Sequence, residues 1–143
     1  MPTHDPYALN RFIRAQEPVF ESVLAELRAG RKRTHWMWYV FPQIEGLGFS
    51  SISRYYSIKS EAEARQYLNH PILGARLVKC AEILLYLEGV SAEDIFGYPD
   101  FMKLRSSMTL FAAVAEPGSV FERVLDKYYG GERDQKTLSL AGL

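Results

Sequence analysis

Apolar residues recur along this chain at intervals of three and four positions, which is the spacing of one face of an α-helix. Asp5 and Pro6 are typical of a helix start, as N-cap and first helical residue, and predict the first helix. Pro18 opens a second such segment, and Gly30 stands where a left-handed residue ends a helix. The apolar stripes of these two segments are Leu9, Phe12 and Ile13, then Phe20, Val23, Leu24 and Leu27.

Helix signals continue through the second half of the chain. Ser60 and Glu63 predict a capping box at the start of a helix, and Pro71 suits the first turn of the next one, which runs to about residue 87. Ser91 begins a short helix that ends near Gly97. The remaining predicted helices begin near Pro99, Ser119 and Asp134.

The helix after Pro99 is the most informative of the set. Between residues 108 and 115 its only polar side chain is Thr109, and a helix that is apolar on all sides is enclosed by others. Residues 35–58 fit either short helices or one small hairpin, and we favour helix at 35–41. The sequence therefore predicts an all-α fold, an irregular bundle of seven to eight helices with at most one small hairpin, in a single domain over residues 1–143.

Charge and composition exclude several classes of partner. The 17 basic and 17 acidic side chains cancel, so no overall field favours nucleic acid or an anionic membrane surface. The single cysteine, Cys80, cannot form an internal disulfide, and no run of about 20 apolar residues is present. We expect a cytoplasmic protein with no nucleic-acid or membrane partner.

Known cofactor and metal motifs are absent from the sequence. It has no phosphate-binding Walker loop, no His-Glu-x-x-His helix and no Cys-x-x-Cys pair, and Gly46-Leu47-Gly48 lacks the third glycine of a dinucleotide fingerprint. The histidines His4, His35 and His70 are scattered, and His70 before Pro71 is interpreted as a surface or capping residue. We expect neither a cofactor nor a metal site.

An aromatic block is the first candidate for chemistry. Trp36, Trp38 and Tyr39 lie beside His35 and Gln43 and would together offer flat apolar faces with hydrogen-bonding tips, a combination that suits planar or sugar-like ligands. The alternative is that these side chains are ordinary core residues whose few polar atoms are satisfied.

The first half of the enclosed helix is the second candidate. Lys103 and Ser107 are four residues apart and share a face, next to Ser106 on a neighbouring ridge. A buried ammonium needs a carboxylate, water or an anionic ligand beside it. The alternative is that Lys103 reaches solvent and the hydroxyls bond back to the helix. The basic run Arg31-Lys32-Arg33 is interpreted as a solvated cluster at a helix C-terminus.

Three stretches of the chain carry a family resemblance. They are residues 35–43 with the following Gly46-Leu47-Gly48, residues 63–77, and residues 95–111. They resemble a bacterial family known as domain of unknown function 1810, whose members are often mislabelled calpastatin. The resemblance implies a mainly helical fold and an uncharacterised role, with no catalytic residue to carry over. The calpastatin label does not fit, because that inhibitor is a long disordered chain and this composition is that of a packed domain.

Two functional hypotheses follow. The first is a small-ligand pocket with Trp36, Trp38, Tyr39 and Gln43 as walls and Lys103, Ser106 and Ser107 as contacts to an anionic or hydroxylated ligand, nucleotide-like or sugar-phosphate-like. If the pocket is that of a hydrolase or transferase, His35 is the acid/base candidate and Asp100 or Glu45 the carboxylate. The second is a non-catalytic interaction domain or homodimer. Its surface would be formed by Tyr128, Tyr129, Leu138, Leu140 and Leu143.

Overall fold

Ten helices form in residues 4–143, the part of the chain that the computed structural model describes. They are α1 (Asn10–Gln16), α2 (Phe20–Arg28), α3 (Met37–Val40), α4 (Ser51–Tyr55), α5 (Glu61–Asn69), α6 (Leu73–Tyr86), α7 (Ala92–Phe96), α8 (Asp100–Val114), α9 (Val120–Tyr129) and α10 (Gln135–Ala141). The all-α prediction is confirmed. The count exceeds seven to eight because residues 37–40 and 51–55, which the pattern left ambiguous, each form a short helix.

Residues 43–58 form an isolated β-bridge in place of the small hairpin that was allowed for. Ile44 and Ile58 pair in parallel, with the Ile58 N–H donating to the Gln43 carbonyl and the Glu45 N–H to the Ile58 carbonyl, both at 2.8 Å. Within residues 4–143 no strand forms. The bridge fixes the loop at residues 43–48 against residues 56–58, which follow α4.

Helix α8 is the enclosed element that its composition predicts. It packs against α5, α7, α9 and α10, and Leu104 and residues 106–112 are buried. Because helices cover most of its faces, polar side chains on α8 must find partners inside the bundle or at its edge. This requirement determines which partners Lys103 and Ser106 find at the edge of the bundle.

The first helix begins later than the Asp5-Pro6 signal predicts. The Asp5 carboxylate accepts hydrogen bonds from the Leu9 and Asn10 N–H groups at 2.8 and 3.0 Å, so it does cap a helix N-terminus, as predicted. Ala8, however, has a φ of +52°, which no helical residue adopts. Asp5 therefore caps the start of α1 from outside the helix, by bonding the N–H groups of Leu9 and Asn10, and α1 itself starts at Asn10.

Only half of the predicted capping box at α5 forms. The Ser60 hydroxyl accepts from the Glu63 N–H as expected, at 3.1 Å. The Glu63 carboxylate instead accepts from the Lys59 N–H at 2.9 Å and pairs with Arg11 at 2.7 Å. The Arg11 and Glu63 side chains are only 9% and 1% exposed, so this ion pair is largely withdrawn from water. It joins α1 to α5.

The Arg11 guanidinium also binds the chain at the end of α4. Arg11 donates to the Tyr55 carbonyl at 2.8 Å and to the Ser57 carbonyl at 2.9 Å. One arginine therefore fixes residues 55–57 relative to α1 and α5.

None of the helices in the described part of the chain combines the length and the apolar character that a membrane span requires.

Helix α6 crosses α5 so closely that Gly74 has no room for a side chain. A Cβ at this position would lie 2.0 Å from the Leu68 carbonyl oxygen. We expect Gly74→Ala to lower the free energy of unfolding by about 1–3 kcal/mol, because the two helices must move apart. Urea denaturation measures the change. Ala75→Ser, at the exposed neighbouring position, is the control and should change stability by less than about 0.5 kcal/mol; an unchanged G74A protein would disprove the close crossing.

Candidate functional site

The Glu26 carboxylate positions the chain that leads into the aromatic block. Gly30 ends α2 with a φ of +72°, and the chain then turns back along the helix. One Glu26 oxygen accepts hydrogen bonds from the Arg33 N–H (2.7 Å), the Thr34 N–H (3.0 Å) and the Trp36 indole N–H (3.0 Å). The other accepts from the Thr34 hydroxyl at 2.7 Å.

These donors also set the protonation of Glu26. Partial burial disfavours its charged form, but the hydrogen bonds, with the Arg33 N–H the strongest, outweigh burial and lower its pKa from 4.5 to about 2. Glu26 therefore stays ionised throughout the physiological range and holds Trp36 in one orientation.

Trp36 itself is a core residue. Its ring packs against Phe41 and Phe96, with centroids 6.2 and 6.4 Å away. Tyr39 is half-buried and packs against Tyr56 at 5.2 Å, with its hydroxyl donating to the His35 carbonyl. The His35 side chain is exposed.

Asp100, at the start of α8, forms ion pairs with two lysines. Its two oxygens lie 2.9 Å from Lys32 Nζ and 3.1 Å from Lys103 Nζ. The Lys32 and Lys103 side chains are 8% and 23% exposed. The interpretation of Lys32 as part of a solvated basic run is therefore wrong. This two-lysine cluster (Lys32, Asp100 and Lys103) has one more positive than negative charge.

Both ammonium groups of the two-lysine cluster also lie over tryptophan rings. Lys103 Nζ is 4.6 Å from the Trp38 centroid, and Lys32 Nζ is 5.2 Å from the Trp36 centroid. A cation held over an aromatic face is attracted by the ring quadrupole, by about 0.5–2 kcal/mol. The aromatic block and the first turn of α8 thus meet through these lysines.

A small cavity of about 120 Å³ adjoins Lys103 and Trp38. Within the described residues no carboxylate lines it. The Trp38 indole N–H, the Gln43 side-chain amide and the Tyr56 hydroxyl form no hydrogen bond with other described residues, and all three side chains are partly exposed. The lining residues of this donor-rich cavity are Trp38, Gln43, Ile44, Gly46, Leu47, Gly48, Ser53, Tyr56, Ser57 and Lys103.

The two glycines of the lining allow its loop to lie close to its neighbours. Gly46 has a φ of +106°, and a Cβ there would meet the Leu140 side chain at 3.2 Å. A Cβ on Gly48 would lie 2.7 Å from the Ser53 hydroxyl. Residues 46–48 therefore lie directly against α4 and α10. Close packing explains these two glycines, which match no nucleotide-binding motif.

Ser106 and Ser107 do not line the donor-rich cavity. The Ser106 hydroxyl donates to the Asp134 carboxylate at 2.7 Å, and the Asp134 N–H donates to the Thr109 hydroxyl at 3.0 Å. These bonds anchor the start of α10 to α8. The Ser107 hydroxyl is fully buried and has no hydrogen-bond partner among the described residues.

The structure thus brings together part of the predicted site. Trp38, Gln43 and Lys103 line one cavity, and Asp100 pairs with Lys103 at its edge. The other predicted ligand contacts and His35 lie outside the lining, and Glu45 is exposed on the adjoining loop. Tyr56 was not predicted, and Lys32 was assigned to a solvated cluster. Residues 31–36 are not helical, so no helical spacing could have indicated that Lys32 lies over Trp36.

Two larger surface grooves lack this chemistry. The first, of about 470 Å³, lies between residues 4–13 and 66–71, where His70 Nδ1 accepts from the Ile72 and Leu73 N–H groups, as its capping interpretation predicts. The second, of about 670 Å³, is lined by Arg11 and Lys59, but their donors are already bonded to backbone carbonyls and to Glu63 or Ser57. Size alone therefore does not identify the functional site.

Two of the residues predicted to form a homodimer surface instead make hydrogen bonds within the chain. The Tyr128 and Tyr129 hydroxyls donate to the Leu84 and Phe101 carbonyls. Leu140 and Leu143 remain exposed. Homodimerisation stays a prediction.

Comparison with known proteins places the chain in a family. The family model described as "Protein of unknown function (DUF1810)" matches residues 6–141, so the chain belongs to that family. A crystal structure of a conserved hypothetical protein from Mycobacterium tuberculosis is similar, with 51% sequence identity and a TM-score of 0.94. The match covers 97% of this chain and 99% of the mycobacterial chain. The search of curated protein sequences found no match.

The lowered pKa of Glu26 predicts a dependence of stability on pH. Because the pKa falls from 4.5 to about 2 on folding, the stability that Glu26 contributes is fully present above about pH 5 and is lost as the pH falls towards 2. We expect Glu26→Gln to lower the free energy of unfolding by about 1–2 kcal/mol at pH 7. The loss of stability between pH 5 and 2 should be smaller in this variant than in the wild type.

Urea denaturation between pH 2 and 7 measures this effect, and Glu21→Gln, an exposed carboxylate in the same helix, is the matched control. An E26Q protein that follows the wild type at every pH would show that the carboxylate does not hold the turn.

Proposed function

We propose that this protein binds a small oxyanionic group, such as a phosphate, in the donor-rich cavity beside Lys103 and Trp38. The observation that carries the proposal is the chemistry of the lining: its free polar groups include N–H and O–H donors, and its one charged group is an ammonium. Preorganised donors that face a cavity without carboxylates favour a negatively charged guest over a positively charged one.

The Lys103 ammonium has capacity left for a ligand. It has three N–H donors, and Asp100 occupies one of them within the described residues. Because Lys32 also pairs with Asp100, the carboxylate does not cancel both lysines. The positive charge of the two-lysine cluster is therefore partly uncompensated where Lys103 reaches the cavity. Partial burial strengthens its attraction for an anion relative to bulk water.

The volume of the cavity limits how much of a ligand it can enclose. About 120 Å³ is well below the roughly 300–1,000 Å³ of pockets that enclose a whole drug-sized molecule. A nucleotide-like or sugar-phosphate-like ligand would place its anionic group in the cavity and leave the remainder outside. The proposal therefore concerns recognition of the anionic group.

The proposal is one of binding, without a catalytic step. Asp100 is engaged as the counter-ion of two lysines, and the exposed His35 does not line the cavity. A general acid or base must reach the atom whose proton it moves, and neither residue has that position relative to a guest in the cavity. The proposed function is therefore recognition of an anion, without hydrolysis or group transfer.

The test is titration with inorganic phosphate at low ionic strength, followed by calorimetry and by the two tryptophan indole N–H signals in NMR spectra. The chain has two tryptophans, and only Trp38 lines the cavity. We expect phosphate to shift the Trp38 signal and to leave the Trp36 signal, whose N–H is bonded to Glu26, nearly unchanged. Lys103→Met should weaken binding by about tenfold to a hundredfold, the value of one charge-assisted hydrogen bond.

Lys79→Met, which removes an exposed lysine from α6, is the control and should bind phosphate as the wild type does. Equal weakening in K79M and K103M would mean that phosphate responds to overall charge alone. A wild type that binds no phosphate, or a shift confined to Trp36, would overturn the proposed site.

A further inference from the structure

We infer that Lys32 is a positioning residue of the anion site: it acts on the donor-rich cavity through Asp100, without lining the cavity itself. This inference rests on the proposed function and names what controls the affinity of its site. Asp100 is the link between the two, because its oxygens bind different lysines, one Lys32 at 2.9 Å and the other Lys103 at 3.1 Å.

Asp100 opposes the binding of an anion. Its carboxylate occupies one donor of Lys103, and its negative charge lies next to the ammonium that an anion in the cavity would contact. Asp100 and Lys103 alone would form a pair with no net charge, and the cavity lining contains no charged side chain besides Lys103. Such a site would attract an anion only weakly.

Lys32 offsets the charge of Asp100. Its ammonium binds the second Asp100 oxygen, so the two-lysine cluster has one positive charge in excess. The Lys32 side chain is 8% exposed, less than Asp100 and Lys103, and water and salt therefore screen its charge less than that of a surface lysine. An anion beside Lys103 is attracted by two ammonium groups and repelled by one carboxylate.

The surrounding structure holds Lys32 in place independently of a ligand. The Lys32 backbone N–H donates to the Ile95 carbonyl at 2.7 Å, and its Nζ lies over the Trp36 ring. Trp36 is in turn held by Glu26 through its indole N–H. A charge that is already in position does not have to be ordered when the anion binds, which favours affinity.

The experiment compares methyl phosphate with methyl sulfate by calorimetry at about pH 8, because the two ions have the same shape and differ in charge. The phosphate ester is doubly charged at this pH, since its second pKa is about 6, and the sulfate ester is singly charged. A Coulomb energy is proportional to the charge of the ligand. We therefore expect Lys32→Met to weaken the binding of methyl sulfate about threefold and that of methyl phosphate about tenfold.

Two further variants separate the charge of Lys32 from its packing. Lys32→Arg keeps the charge and should bind both ions within about twofold of the wild type. Asp100→Asn removes the opposing carboxylate, keeps both lysines and should tighten the binding of methyl phosphate by about tenfold.

Arg31→Met is the matched control. It also removes one positive charge, at the position next to Lys32, but the Arg31 side chain is exposed and has no hydrogen bond or ion pair with the residues at 4–143. Because salt screens exposed charges, R31M should bind both ions as the wild type does when about 0.1 M salt is present.

The outcomes separate this inference from the proposed function. If the wild type binds methyl phosphate but K32M binds it equally well, or loses the same factor for both ions, the inference is overturned and the anion site stands. Equal losses in K32R and K32M, equal losses in R31M and K32M, or weaker binding by D100N also overturn it. If K32M does not fold, the direction of the change in D100N decides. If neither ion binds to the wild type, both proposals fail.

Discussion

The buried ion pair between Arg11 and Glu63 is the constraint on which the rest of the structure depends. Withdrawing two charges from water costs several kcal/mol unless they meet each other and further polar groups. Here the guanidinium also bonds to backbone carbonyls at Tyr55 and Ser57, and the carboxylate accepts the Lys59 N–H. The pair is stable only when α1, α5 and the segment between them are assembled together.

The Arg11–Glu63 pair also positions one side of the donor-rich cavity, because Arg11 binds residues 55–57. Residues 55–57 lead directly to Ile58, whose backbone pairs with the loop at 43–45. That loop continues into Gly46 and Gly48, and Tyr56 and Ser57 complete the lining from the other side. Two irregular segments therefore line part of the cavity: backbone hydrogen bonds to Ile58 hold the loop at 43–48, and Arg11 holds residues 55–57.

The same principle recurs elsewhere in the fold. Glu26 collects donors from the turn before Trp36, Asp100 holds Lys32 and Lys103 together, and Asp134 fixes α10 to α8. In each case a carboxylate satisfies groups that regular structure leaves unpaired. In the cavity the balance is reversed, because the Trp38 indole N–H and the Gln43 amide find no acceptor among residues 4–143. This local imbalance, in a chain with no net charge, is the physical basis of the proposed anion site.

The sequence by itself determined the helices and the enclosed position of α8. Periodicity, prolines and the Ser60 and Ser91 caps are local signals, which mark where a helix begins and ends and which of its faces is apolar. Residues 35–58 stayed ambiguous for the same reason, since short apolar runs fit several structures until long-range pairing between Ile44 and Ile58 decides. The late start of α1 likewise depends on the left-handed Ala8, which no local pattern indicates.

Only the tertiary structure decided which polar residues share the site. The sequence identified Trp38, Gln43 and Lys103 as residues able to bind a ligand, but it could not separate them from Trp36 or Ser106, whose polar atoms are used by Glu26 and Asp134. Lys32 and Lys103 are 71 positions apart and meet only because both pair with Asp100. Pairings over such distances follow from how the helices pack, which residue spacing along the chain does not encode.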